Sequence, residues 1–290
     1  MSRFVLAFLA LAGFGCDSMR FDGPERDWVS DRVVTREASA DFAGERISVL
    51  NNHGDVEVVG VQGLSRVRLS GRPSVVANDS ADAEAAFPDV EANIRLELVE
   101  GVLVVGCHEA SADHGSADAE HAGCADFLVE VPADHPVDLH VMARYGGAKV
   151  SGVTGGLVAA ATFDLAASVT PISGSRVSVA SRPDGTNGTC NASLALPESV
   201  AGQFFVAAFE PGAQVTSGFS ALPVVTCTQY PTFTQQTVYP GTDPYPCIKG
   251  SLPGLPDAPQ IELLAMHGGA NLVSGLDATL PFAPGPCPVR

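Results

Sequence analysis

Residues 46–71 read RISVLNNHGDVEVVGVQGLSRVRLSG. Ile47 and Val49 flank Ser48, Val56 and Val58 flank Glu57, and Val67 and Leu69 alternate with Arg66 and Arg68. Successive side chains of an extended chain point to opposite sides, so apolar residues at every second position make a strand with one buried face. His53-Gly54-Asp55 separates the first two alternations. Glycine permits φ > 0 at a tight corner, and an aspartate accepts bonds from nearby backbone N–H groups. The stretch predicts strand, corner, strand, strand.

The unit recurs. Ile94/Leu96/Leu98, Leu103/Val105, Phe127/Val129/Val131 and Val137/Leu139/Val141 carry the alternation through the first half. Leu157/Ala159/Ala161, Val177/Val179, Leu194/Leu196, Phe204/Val206 and Ile261/Leu263 carry it through the second. Gly146-Gly147, Ser173-Gly174-Ser175, Glu210-Pro211-Gly212 and His267-Gly268-Gly269 supply further corners. A short element repeated with glycine turns favours an all-β fold, a parallel β-helix-like solenoid over residues 41–280 in which each coil buries its face against the next. Small residues between Leu157 and Ala180 suit tightly stacked coils. A β-sandwich, with short strands and frequent turns, is the alternative. Only Ser80 to Phe87 reads as a helix, with Pro88 ending it.

Charge narrows the partners. The 290 residues hold 16 Lys plus Arg against 33 Asp plus Glu, a formal charge of −17, which repels phosphate backbones and excludes nucleic acid. The chain starts MSRFVLAFLALAGFGC, an apolar run too short to span a bilayer but of signal-peptide length. Residues 1–15 are expected to be removed on export, leaving Cys16 to carry a lipid that anchors the protein at the cell envelope. Residues 16–40 then form a flexible tether, with Trp28 docking on the domain's end, and residues 281–290 a C-terminal tail.

Six further cysteines, Cys107, Cys124, Cys190, Cys227, Cys247 and Cys287, are an even set in an exported chain and read as up to three disulfides. Six cysteines permit fifteen connectivities; Cys107–Cys124 and Cys227–Cys247 are the nearest neighbours, and Cys190–Cys287 would follow only by elimination. His108, His114 and His121 fall between the first two cysteines and are weak candidate metal ligands, the alternative being a disulfide-closed loop of solvated side chains. Tyr230, Phe233, Tyr239 and Tyr245 stand among the prolines of residues 226–259, either as a sugar- or protein-contact surface or as a cap on the solenoid's end. Proline at that density predicts a stapled surface loop. Asp126, Glu130 and Asp138 are the acids a β-helix glycosidase or lyase would use.

The run Asn51-Asn52-His53-Gly54-Asp55-Val56-Glu57-Val58 resembles a bacterial family of unknown function described as a putative adhesin or β-strand-repeat domain. Looser matches follow at Phe127 to Asp134, Val137 to Gly152, Leu194 to Val215 and Ile261 to Val273. Several corners, Gly147-Ala148, Gly212-Ala213 and Gly269-Ala270, lack the family's aspartate. The resemblance implies a β-solenoid at the cell envelope with no enzymatic activity, no cofactor and no assigned site residues. The expected function is a non-catalytic envelope lipoprotein, an adhesin or scaffold, meeting an envelope protein or a glycan. A carbohydrate-active β-helix enzyme and a periplasmic metal-binding protein are the alternatives.

Overall fold

Alternation becomes parallel stacking in the computed structural model, which describes residues 26–107, 122–181, 190–210, 212–228, 244–254, 257–276 and 280. Within them the chain is all-β apart from one helix. It starts with β1 (Arg26–Val29), β2 (Val34–Glu37), β3 (Arg46–His53), β4 (Val56–Val61), β5 (Arg68–Ala77) and α1 (Ser80–Ala92). Next come β6 (Ile94–Val99), β7 (Val102–Cys107), β8 (Ala122–Pro132), β9 (Val137–Tyr145) and β10 (Ala148–Ala161). β11 (Leu165–Thr170), β12 (Arg176–Ser181), β13 (Ala192–Leu196), β14 (Gly202–Ala208) and β15 (Val215–Ser217) follow. The last are β16 (Val224–Cys227), β17 (Tyr245–Leu252), β18 (Gln260–Ala265) and β19 (Ala270–Ser274).

Two parallel ladders run through the molecule. Ladder one places β7, β3, β9, β10, β12, β18 and β14 side by side. Ladder two places β8, β4, β10, β11, β13, β19 and β15 in the matching order. β10 serves both: residues 148–154 pair in ladder two and residues 155–161 in ladder one. The alternation read from the sequence now forms columns. Leu103, Ile47, Leu139, Leu157, Val177, Ile261 and Phe204 line up in ladder one, all buried. Phe127, Val56, Ala148, Leu165, Ala192, Ala270 and Val215 do so in ladder two. The core sits between these two inward faces.

The corner has its own column, one residue before the ladder-two column: Asp126, Asp55, Gly147, Asp164, Asn191, Gly269, Gln214. Asp55 Oδ1 accepts a 2.6 Å bond from the Gly147 amide. Asp164 Oδ1 accepts one of 2.7 Å from the Asn191 amide, and Asn191 Oδ1 one of 2.9 Å from the Gly269 amide. Corners without an aspartate, at Gly147 and Gly269, are thus served by the carboxylate or amide of the neighbouring coil.

Four expectations change. Spatial order departs from chain order at both ends, because β3–β4 lies between β7–β8 and β9–β10, and β18–β19 between β12–β13 and β14–β15. Reversals of chain direction cap the edges at β7, β8 and β14 that the parallel ladders leave. At one end β6 pairs antiparallel with β7, and β5 with β8. At the other, β17 runs antiparallel to β14 and β16 to β17. Residues 226–259 are therefore not a pure surface loop: they contribute β17, whose Pro246 sits opposite Thr226 of the edge strand β16. The segment expected as a tether supplies β1 and β2, both antiparallel to β5, and Trp28 Nε1 bonds the Ala77 carbonyl at 3.2 Å. Residues 1–25, including Cys16, and the 281–290 tail lie outside the described residues.

The helix also outruns its expected stop. Asp79 caps it, accepting from the Ala81 and Asp82 amides, and Pro88 lies inside it. Ala83, Ala86, Phe87 and Val90 are buried at helical spacing, and α1 packs on β5. Burial of Val90, two residues beyond the proline, offsets the single backbone bond that Pro88 forfeits.

Candidate functional site

Ladder one turns a second face outward. Its outward positions alternate with the core columns, so Arg46, Ser48 and Leu50 of β3 meet Asp138, His140 and Met142 of β9 in register. Gly156, Val158 and Ala160 of β10 continue the floor, and Arg176 and Ser178 of β12 close it. Small residues at Gly156 and Ala160 hollow the floor into a groove of about 860 Å³, with the turn at Ile172–Ser175 as one rim. Met142 and Ile172 expose 43% and 39% of their surface there, an apolar surplus that suits contact with another surface.

Charges in the groove are bound to one another. Arg46 Nε bonds Asp138 Oδ2 at 2.7 Å, and His140 Nε2 stands 3.6 Å from Asp138 Oδ1. His140, and after it Arg46, hold the Asp138 carboxyl down at about 2. Arg176 Nη2 reaches Glu262 Oε2 at 3.3 Å, and Ser178 Oγ donates to the same oxygen at 2.8 Å. The Glu262 side chain is 2% exposed and its other oxygen has no hydrogen-bond partner.

A carboxyl depressed in the folded state stabilises the fold above its unfolded value of 3.8 and loses that contribution as pH falls towards about 2. Asp138 is about half exposed, so solvent screening keeps the effect under ~1 kcal/mol. Asp138→Asn is expected to lower the urea midpoint slightly at pH 7 and to match the parent near pH 2. Equal midpoints at pH 7 would mean that the pair with Arg46 contributes nothing.

The acids expected to serve catalysis do not converge. Asp126 and Glu130 lie on β8 in ladder two, Asp138 on β9 in ladder one. Asp126 is engaged by the Arg72 guanidinium, with Nε at 2.9 Å, and Glu130 stands in register opposite Arg68. Each acid faces an arginine on a neighbouring strand, an arrangement that ties the strands together.

Cys107 and Cys124 are joined, with Cα atoms 5.8 Å apart, and so are Cys227 and Cys247 at 5.9 Å. Cys190 is disulfide-bonded as well, while Cys287 lies outside the described residues. The thiols flanking the histidine-rich loop are therefore spent on each other. His108, His114 and His121 lie outside the described residues. Cys107 and Cys124 close a loop of sequence separation 17, for which the chain-entropy model gives ~3 kcal/mol. The double variant Cys107→Ser/Cys124→Ser is expected to lose about that much in urea unfolding.

Of the loop aromatics, Tyr230, Phe233 and Tyr239 lie outside the described residues. Tyr245 is 4% exposed, so it is not a contact platform. Its ring sits 4.9 Å from that of Phe209, in a second cluster with Ala180, Phe205, Ala207, Leu264 and the Cys227–Cys247 bridge. Burial pushes its hydroxyl above the ordinary phenol range. This cluster covers the far half of ladder one's outward face and leaves the groove over β3, β9 and β10.

Sequence reasoning missed Arg46, His140, Met142, Arg176 and Glu262 as neighbours. Their one signal was position: each is polar or bulky at an outward step of an alternation. Arg46–Asp138, Asn52–Arg144, Asp55–Gly147 and Glu57–Lys149 all lie 92 residues apart, because the corners of the two coils have equal length. That common offset is a signal a self-comparison of the sequence could find.

Two solved structures are similar to the chain. One is a putative cell adhesion protein from Clostridium sporogenes, 10% identical over 87% of this chain and 100% of that one, with a TM-score of 0.39. The other is a putative adhesin from Parabacteroides distasonis, 11% identical over 57% of this chain and 58% of that one, with a TM-score of 0.29. No family model and no curated protein matches. Among the described residues no helix is long and apolar enough to cross a membrane.

Proposed function

We propose that the protein is a lipid-anchored component of a bacterial envelope whose stacked β-coils form a stiff solenoid, acting without catalysis as an adhesin or scaffold. The observation that carries this is the fate of the outward charges. Arg46–Asp138, Arg72–Asp126, Lys149–Glu57 and Arg176–Glu262 each join neighbouring strands, so the polar groups brace the sheet in pairs strung along the ladders. Columns of buried residues on parallel strands resist bending, since each coil packs on the next along its whole length. A stiff body with open grooves suits multivalent contact, in which many weak sites add.

Beads coated with the purified protein are expected to adhere to bacterial or host surfaces, and adhesion to neither would end the contact reading. Anchoring has its own test. The signal-peptide reading assigns the lipid to Cys16, so Cys16→Ser is expected to move the protein from the membrane fraction to the soluble one and to abolish labelling with a fatty-acid probe. Unchanged partitioning and labelling would refute the anchor.

A further inference from the structure

A second groove, of about 850 Å³, opens along the corner where ladder one turns into ladder two. Coil register builds its wall. His53 pairs with Tyr145 across β3 and β9, and Phe163 takes the equivalent corner position of the next coil, two residues after Ala161 as Tyr145 follows Ala143. Adjacent strands lie about 4.8 Å apart, so these corner residues come at single-strand spacing. Tyr145 and Phe163 both line the groove, and the Arg144 guanidinium lies 5.4 Å from the Tyr145 centroid, steadying that ring.

The remaining wall is mixed: Val56, Ala125, Phe127 and Leu128 add apolar surface, and the charged groups among them are held by neighbours. Glu57 Oε1 bonds Lys149 Nζ at 2.9 Å, and Arg72 engages Asp126. Asp27 Oδ1 stands 3.9 Å from His53 Nε2, and Asp55 Oδ1 holds the Gly147 amide. Asp126 has φ 50 at the bulge where the β5–β8 register shifts. Glu57 and Lys149 are 45% and 47% exposed and Asp126 71%, so the first pair presents a donor and an acceptor to the groove, and Asp126, its charge partly neutralised by Arg72 outside the lining, presents an acceptor.

Partly neutralised pairs select weakly for ions but well for hydroxyl groups, which donate to a carboxylate and accept from an ammonium or guanidinium at once. Aromatic rings beside them match the C–H faces of a pyranose, as amphipathic sites do for ligands with one apolar and one polar side. We infer that this corner groove binds a neutral oligosaccharide, with Tyr145 and Phe163 supplying the apolar wall and Glu57–Lys149 and Asp126 reading the hydroxyls. The inference rests on the contact-protein reading and gives it a ligand class. A polyanionic glycan meets a chain of charge −17, and a basic peptide must compete with cations already in place.

The test is calorimetry and array binding of the full-length protein with neutral hexose oligosaccharides, with hexalysine and oligogalacturonate as charged probes. Bacterial capsular and animal-cell neutral glycans form separate arms, which identify the source. Wild-type protein is expected to bind at least one neutral oligosaccharide. Phe163→Leu and Tyr145→Leu, which keep an apolar side chain without the ring, are expected to weaken that binding tenfold or more. Leu98→Ser, on the distant strand β6, is expected to leave it unchanged, and unaltered circular dichroism and melting verify each fold. Should either ring variant unfold, Lys149→Met provides the second reading, with a loss of at least fivefold. Binding of charged probes alone, no neutral binding, or neutral binding indifferent to all three variants would overturn the inference. If coated beads adhere while soluble neutral sugars fail to compete, the groove assignment falls and the contact function stands; if the beads adhere to nothing, the contact function itself falls.

Discussion

Gly146→Ala is expected to destabilise the protein by ~4 kcal/mol or more, enough to remove much of a domain's net stability. A Cβ placed on Gly146 would lie 2.0 Å from the Gly54 carbonyl oxygen and 2.4 Å from its carbon. Both atoms are backbone, so no side chain can rotate away. The strain must separate β3–β4 from β9–β10 at their shared corner, where the Gly54 amide bonds the Tyr145 carbonyl at 3.1 Å and Val56 bonds Gly147 at 2.9 Å. Gly156→Ala is the control, since its Cβ would meet nothing nearer than 3.4 Å, and its unfolding midpoint should shift by under ~0.5 kcal/mol. Urea unfolding followed by far-ultraviolet circular dichroism measures both. Similar midpoints for the two variants would show that the coils are not in contact at Gly146.

Asn51→Ala is expected to cost ~3 kcal/mol, because it strands three buried backbone groups. Asn51 is fully buried; its Nδ2 donates to the Gly54 carbonyl at 3.0 Å and the Cys124 carbonyl at 2.9 Å, and its Oδ1 accepts from the Cys124 amide at 3.0 Å. One side chain thus closes its own corner and fastens the neighbouring coil. Asn51→Asp tests the donor half separately. A carboxylate there would face two carbonyl oxygens, so the folded state favours the protonated acid and its pKa rises. The folded state then binds the extra proton, and stability falls as pH rises above the unfolded value of ~3.9. The deficit of Asn51→Asp should therefore widen between pH 4 and pH 7 while that of Asn51→Ala stays flat. A pH-independent deficit in Asn51→Asp would mean that the amide donors are not used.

Much of this architecture was readable before any coordinates. Ile47/Val49, Leu139/Val141, Leu157/Ala159 and Val177/Val179 fall in the core as their alternation requires. The Gly-Asp corner and the pairings Cys107–Cys124 and Cys227–Cys247 are in place too. These are local properties, set by side-chain direction along an extended strand and by short loop closure. The stop at Pro88 failed because burial of Val90 is a tertiary term that a helix-breaking rule does not contain. Tyr245 takes the cap side of its two readings, because its packing on Phe209 depends on the chain reversal that sets β17 beside β14.

Sequence alone determined that the chain forms short one-faced strands with glycine corners and carries a large negative charge. These follow from covalent geometry and composition. Tertiary structure alone decided the order of the coils, with β18–β19 seated between β12–β13 and β14–β15, and therefore which outward residues meet. The physical reason is that alternation gives every strand an inward apolar face without saying which strand stands beside it, and that is settled by the side-chain fit, capping strands and corner contacts that only the folded chain brings together.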